Sequence, residues 1–371
     1  MKNLKSLLMS LLAVAVLALT ACTGPEGPAG KDGTNGTSGK DGAAGTAGCI
    51  TCHGNEDVDM KIGQYEMSMH GEGAVWIEEA GRAACGACHQ GAGFAEAVAL
   101  GTLDPKSSIT GPIDCKTCHT IHTKYDNTDF ALRLTSAIQL RENDANPAEK
   151  VDFKGAGNTC ARCHQARIIN RNNAAGFDTI SGTTGYTRLG PHYGMAANIV
   201  TWKGIQEFGA ALPEQINPHA SISCVTCHMG LDTANLASGG HTFKMTTASL
   251  ANMIAKNIKD GKNTGCVCHN DPVALAKGTL GKAVAADIAL IRAKLIEKNF
   301  LYIPDPTGLT TAQIILGEYI KVPDGKKFAM PKDDASMVMD YQFVSKDRSN
   351  GAHNPKMVPA LVAKLKTALG I

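Results

Sequence analysis

Apolar and polar positions divide the chain into three stretches. Leu7 to Leu19 is a largely apolar run behind Lys2 and Lys5. Its 13 residues fall short of the roughly 20 that a bilayer-spanning helix needs. A positive start followed by a short apolar run is the pattern of an export signal. From 24 to 48 there is no apolar period, but Gly recurs at every third position. Between 49 and 270, Gly, Asn, Thr and Pro interrupt almost every apolar run, which predicts short helices joined by long loops. Helical periodicity is clearest late. Val284, Ile288, Ile291 and Leu295 form one stripe, as do Leu361, Val362, Leu365 and Leu369, with Pro359 just ahead as a first-turn residue. Alternating strand patterns are scarce. The expected fold is mainly α with extensive coil and few or no strands, in a domain over residues 49–371. Loops that long argue against a compact domain unless something other than side chains organises them.

Composition narrows the classes. Lys plus Arg number 36 and Asp plus Glu 34, a formal charge of +2, which excludes a basic nucleic-acid binder or an acidic disordered tail. The single apolar run excludes a membrane bundle. Aromatic residues make up only 5%, thin for a core of this size, while 13 Cys are spread along the whole chain. A small disulfide-stapled domain does not have that distribution.

The cysteines have a pattern. Cys-x-x-Cys-His occurs at Cys49/Cys52/His53, Cys85/Cys88/His89, Cys115/Cys118/His119, Cys160/Cys163/His164 and Cys224/Cys227/His228. This is the motif of c-type haem attachment. Two thiols add across the two vinyl groups as thioethers, and the adjoining His supplies the proximal nitrogen to iron. Zinc sites also use Cys-x-x-Cys pairs, but their remaining ligands come from a distant pair rather than always from the next residue. A covalently held porphyrin would also supply the flat apolar surface that the few aromatics do not, and would pin the loops.

A sixth, irregular copy reads Cys266-Val267-Cys268-His269, preceded by Gly265. In the usual frame Gly265 takes the first thiol position, so a thioether through Cys268 is expected and one through Cys266 needs a distorted loop. The alternative is that this site holds no haem. The histidines bear on it. Of 12 His, six follow attachment cysteines and six remain: His70, His122, His192, His219, His241 and His353. One free His per proximal His is what six bis-His irons require. His122, three residues after His119, is expected to serve a neighbouring haem rather than its own. Met67, Met69 and Met229 are the competing axial candidates, with ordinary packing the preferred reading. All 12 cysteines of the six copies are thus candidate haem attachments, and all 12 His candidate iron ligands.

Leu19-Thr20-Ala21-Cys22 resembles a bacterial lipobox. The resemblance implies a signal peptide over 1–21, cleavage before Cys22 and its acylation, which anchors a protein to a membrane without spanning it. Thr23 in place of Asp implies the outer membrane in the usual sorting pattern, on a face the sequence leaves open. Residues 22–48 then form an acylated tether. Gly at 24, 27, 30, 33, 36, 39, 42, 45 and 48 is collagen-like and allows a homotrimer through this segment. With only Pro25 and Pro28 to stiffen it, a flexible tether is the preferred reading.

As a whole, residues 49–371 resemble the bacterial multihaem c-type cytochromes through these motifs. Arg188-Leu189-Gly190-Pro191-His192-Tyr193-Gly194 is similar to a distal-His loop of that group, and Asn217-Pro218-His219 stands shortly before Cys224, as its distal histidines often do. Asp347 to Pro355 is similar to the C-terminal segment of the nitrite reductase and octahaem cytochrome group, which implies that His353 is an axial ligand near the head of the final helix. Pentahaem nitrite reductases carry a Cys-x-x-Cys-Lys site with an open haem face, and this chain has none. The resemblance therefore implies an electron carrier rather than an enzyme, exchanging electrons with other redox proteins or cytochromes, exported and lipid-anchored, with no nucleic-acid partner. Two alternatives stand: a reductase of nitrogen or sulfur oxyanions, and a structural stalk or filament. Without Lys2 and Lys5 the charges balance at 34 each. Six ferric haems with ionised propionates would bring the mature protein to about −6.

Overall fold

The structure is a computed structural model. It describes residues 53–54, 56–141, 149–167, 172–174, 177–180, 186–187, 191–205, 208–232, 234–259, 269, 271–301, 307, 320–321 and 328–371. The signal segment, Cys22, the Gly-x-y tether, Cys49, Cys52, Cys266, Cys268 and Arg188–Gly190 lie outside the described residues. Residues 47–371 belong to one unit.

Its described part is helical, with five short strands. Asn172–Ala174, Phe177–Ile180 and Phe328–Pro331 form one antiparallel sheet, and Tyr186–Thr187 pairs with Ile320–Lys321. Most helices before residue 230 run ten residues or fewer, as the interrupted pattern predicts. No described helix is long and apolar enough to cross a membrane.

The larger hydrophobic core belongs to the C-terminal part. Helix Thr279–Glu297 buries Val284, Ile288, Ile291 and Leu295, the stripe read from the sequence. Helix Met357–Leu369 buries Leu361, Val362, Leu365 and Leu369, together with Met357 and Val358. Both pack on Lys332–Asp347, which is buried continuously from Ala335 to Lys346. A helix buried all round is normally apolar all round. This one carries Asp340, Gln342, Ser345 and Lys346 inward, each with at least one hydrogen bond. Asp340 accepts from the Phe208 backbone N–H. Lys346 Nζ donates to Gln342 Oε1 at 3.0 Å and lies 5.1 Å from the centre of the Tyr193 ring.

Apolar packing is sparser ahead of this core. A second cluster gathers Ile138, Leu140, Phe153, Ala161 and Ala197. Among the described residues between 53 and 130, the buried hydrophobic residues are Ala87, Phe94 and Ala97. Long-range hydrogen bonds hold the loops instead. Gln90 Nε2 donates to Trp76 O at 2.7 Å while its Oε1 accepts from Gly111 N at 2.7 Å. The carboxylate of Asp129 accepts from the N–H groups of Thr123, Lys124 and Tyr125 at 2.8–3.1 Å, closing the loop behind His122.

Candidate metal centres

Each described attachment motif sits on one helical turn. Ala83–His89 carries Cys85, Cys88 and His89; Cys115–Cys118 leads into His119; Ala156–Ala161 carries Cys160 and leads into Cys163 and His164. Cys224–His228 holds Cys224, Cys227 and His228 together. The turn is what makes the motif work. Positions i and i+3 share one helix face, and i+4 lies beside them, so both thiols and the imidazole look to the same side. Backbone bonds from His119 N to Cys115 O (2.9 Å) and from His164 N to Cys160 O (3.0 Å) close this geometry. At the fourth motif in the described chain, Cys227 is part-buried, and its carbonyl accepts from Gly230 N at 3.3 Å to end the turn just past His228. At Cys115 the sequence also caps the turn. Asp114 Oδ1 accepts from Thr117 N, and Thr117 Oγ1 accepts from Asp114 N, both at 2.9 Å. Such a capping box contributes about 1 kcal/mol. The described cysteines Cys85, Cys88, Cys115, Cys118, Cys160, Cys163, Cys224 and Cys227 form no disulfide, so their thiols remain available for thioether attachment.

All 12 histidines fall into six ring pairs, each joining a motif His to a non-motif His. The centroid separations are 6.0 Å for His53–His122, 5.8 Å for His89–His192 and 6.3 Å for His119–His241. They are 6.0 Å for His70–His164, 6.1 Å for His228–His353 and 6.0 Å for His219–His269. An iron held between two imidazoles needs this spacing. Two metal–nitrogen bonds of about 2 Å, plus roughly 1.1 Å from each nitrogen to its ring centre, come to about 6 Å. The rings are inclined to one another by 32° to 84°, not stacked. Among the described residues no three His, Cys, Asp or Glu side chains converge as they do around a bare metal ion.

At four of the histidines Nδ1 has a hydrogen-bond partner. His119 Nδ1 lies 2.6 Å from Phe130 O, His219 Nδ1 2.6 Å from Ala352 O, and His228 Nδ1 3.0 Å from Phe243 O. A carbonyl accepts only, so Nδ1 carries the proton and Nε2 keeps its lone pair, the form that binds a metal. Burial pushes His70, His89, His228, His241 and His269 below the ordinary imidazole range, and His164 to about 4, which also favours the neutral ligand. His353 differs. Burial pulls it down, but the Asp347 carboxylate, 2.7 Å from its Nδ1, outweighs burial and leaves it raised.

The pairing follows neither order nor nearness in sequence. His122 pairs with His53 rather than with its neighbour His119; it has φ 62°, and its ring stacks with Tyr125 at 5.8 Å. His219 stands five residues before Cys224 yet pairs with His269, and His70 pairs with His164 rather than His53. The Cys224/Cys227 motif draws its second imidazole instead from His353, near the far end of the chain. Met67 and Met69 are exposed and Met229 is part-buried. His353 sits four residues ahead of the final helix. Asn354 fixes it there, accepting from Met357 N at 3.0 Å and donating to Ile199 O at 3.1 Å. Sequence reasoning missed two residues at these sites. Phe243 lies edge-on to both His70 (5.1 Å) and His241 (5.9 Å), and Asp347 holds His353. Only the position of Asp347, six residues before His353 in a segment already singled out, could have flagged it.

No curated protein matches the chain. One solved structure, the crystal structure of the outer cell wall cytochrome OcwA, superposes with a TM-score of 0.42 at 16% identity, over 83% of this chain and 50% of that one. The chain thus spans half the length of that protein. Residues 36–120, which hold the first three attachment motifs, match the model of the family of cytochrome c7 and related cytochrome c, so this segment is similar to that multihaem cytochrome family.

Proposed function

We propose that the protein is a membrane-tethered, extracytoplasmic electron carrier with six covalently attached haems, each between two histidines. The observation that carries this reading is the division of all 12 imidazoles into six pairs about 6 Å apart, one motif His in each. A bound c-type haem supplies a reversible one-electron iron couple. The chain's own part is to hold two imidazoles on each iron and to present the proton-free Nε2 by engaging Nδ1. Two ligands per iron leave no open position for a substrate, which favours transfer over catalysis. The lipobox at Cys22 and the Gly-x-y segment support an anchor and a spacer, through which the protein would meet other redox proteins at the cell envelope.

Two measurements on the mature protein test the reading. Intact mass is expected to show six haems and an acylated Cys22. Low-temperature electron paramagnetic resonance (EPR) of the oxidised protein is expected to show six low-spin ferric sites. A strong high-spin signal in the wild type would replace the carrier with a reductase having an open site.

Asp347 should tune one of the six. Its carboxylate, only 2% exposed, makes His353 a more basic ligand, which stabilises ferric iron. Asp347→Asn keeps the shape and removes the charge. The midpoint potential of the Cys224/Cys227 site is expected to rise, with the other five unmoved in a spectroelectrochemical titration. A titration identical to wild type would count against the role of Asp347.

A further inference from the structure

The six ring pairs do more than define six sites, because the contacts between pairs set an order. For brevity, sites 1 to 6 are numbered by their proximal residues His53, His89, His119, His164, His228 and His269. On the reading that each pair holds one haem, we propose that the sites form a branched wire. Its trunk runs 1–3–4–5–6, and site 2 joins at site 4, the junction.

Five sets of contacts build this order. Site 1 borrows His122, three residues beyond the proximal His119 of site 3, so those two sites are joined by at most about 11 Å of chain. Sites 3 and 4 share Phe243, whose ring touches His241 of one and His70 of the other. The same residue reaches site 5, since its carbonyl engages His228 Nδ1.

Sites 4 and 5 meet directly. Gly157, on the site 4 helix, packs so closely on site 5 that a Cβ there would lie 2.9 Å from Ser223 Oγ and 3.3 Å from Cys224 N. Cys224 Sγ points at Gly157 O from 3.8 Å. A side chain at 157 would have to displace the Ser223 hydroxyl.

Sites 4 and 2 meet on the other side of the same motif. Cys163 Sγ lies 3.4 Å from the carbonyl of Ala87, the residue before Cys88. Arg162, between the two site 4 cysteines, donates to Leu103 O at 2.8 Å in the segment after the site 2 helices. The site 4 helix thus meets site 5 at Gly157 while its Cys163 faces site 2, so one attachment motif serves both directions. Site 6 completes the trunk. Its distal ligand His219 is held by Ala352 O, and Asn217 Nδ2 donates to His353 O at 2.8 Å, so the site 6 loop rests on the distal ligand of site 5.

Each transfer moves one electron: the giving iron is oxidised by one and its neighbour reduced by one, with no bond made or broken. The first electron comes from an external one-electron carrier and the last leaves to another. Ends at sites 1, 2 and 6 give three ports. At site 1 both His53 and His122 are exposed.

Iron positions in the haem-loaded wild type, located by anomalous scattering, test the order directly. The expected result is six irons, with the site 4 iron closest to those of sites 2, 3 and 5, and sites 1 and 6 at opposite ends. Six irons in an unbranched row, or a site 4 iron with fewer than three such neighbours, would overturn the branched wire and leave the carrier reading standing. Fewer than six irons would overturn the six-site reading, and the order with it. EPR supplies a functional check through distal His→Met variants, each raising one potential so that this site alone is reduced and diamagnetic. His70→Met, at site 4, is expected to relieve spin coupling at three other sites. His122→Met, at site 1, and His219→Met, at site 6, are each expected to relieve one. Relief at one or two sites from His70→Met would also sink the branch. A variant that loses its haem reads the same way, because a missing spin relieves the same neighbours.

Discussion

Replacing His192 with Ala is expected to convert one of six low-spin ferric sites to high spin and to leave the other five unchanged. The ring centres of His192 and His89 stand 5.8 Å apart, and no second uncommitted imidazole can take over. The other five distal histidines are committed to their own pairs. The affected site is the one attached through Cys85 and Cys88, although some hundred residues separate it from His192. Its midpoint potential should rise by a sizeable part of the roughly 0.8 V range that axial ligands command. It should also gain an open face that binds small ligands such as cyanide or nitric oxide. EPR and ligand-binding difference spectra together check this. A variant that stays fully low-spin would show that another residue supplies the sixth ligand and that the 5.8 Å pairing is incidental.

Ile291→Ala is expected to be the most damaging kind of single change away from the haem sites. Ile291 is fully buried where helix Thr279–Glu297 meets the C-terminal helices. Truncating such a residue typically costs about 2–5 kcal/mol, from lost transfer energy and from the cavity left behind. Its neighbour Leu290 is 52% exposed. Leu290→Ala should therefore stay within about 0.5 kcal/mol of wild type. Far-UV circular dichroism during denaturant unfolding of the holoprotein separates the two. Equal losses would mean that the helix is rotated from the face described above.

What the sequence determined by itself is local. Cys-x-x-Cys-His closes within one helical turn, so its spacing alone brings two thiols and an imidazole to one side. The helix stripes at 284–295 and 361–369 are local for the same reason: a 3.6-residue period marks the buried face before any partner is known. The equality of six motif and six other histidines was likewise a count. Helix Lys332–Asp347 was not legible, because its buried Asp340, Gln342 and Lys346 break the apolar pattern, and Asp340 meets the Phe208 N–H only in the folded chain.

The pairings were decided by tertiary structure alone. Partner histidines lie 50 to 125 residues apart in sequence, and nothing near His70, His122 or His241 names the motif it will face. A ligand pair is a coincidence in space, and the chain reaches it through distant contacts. The Asn217 bond to His353 O, the Phe243 ring between two sites and the bare backbone of Gly157 each join segments that no local period connects. The motifs count the candidate sites, and on the proposed reading it is packing that sets which site stands next to which.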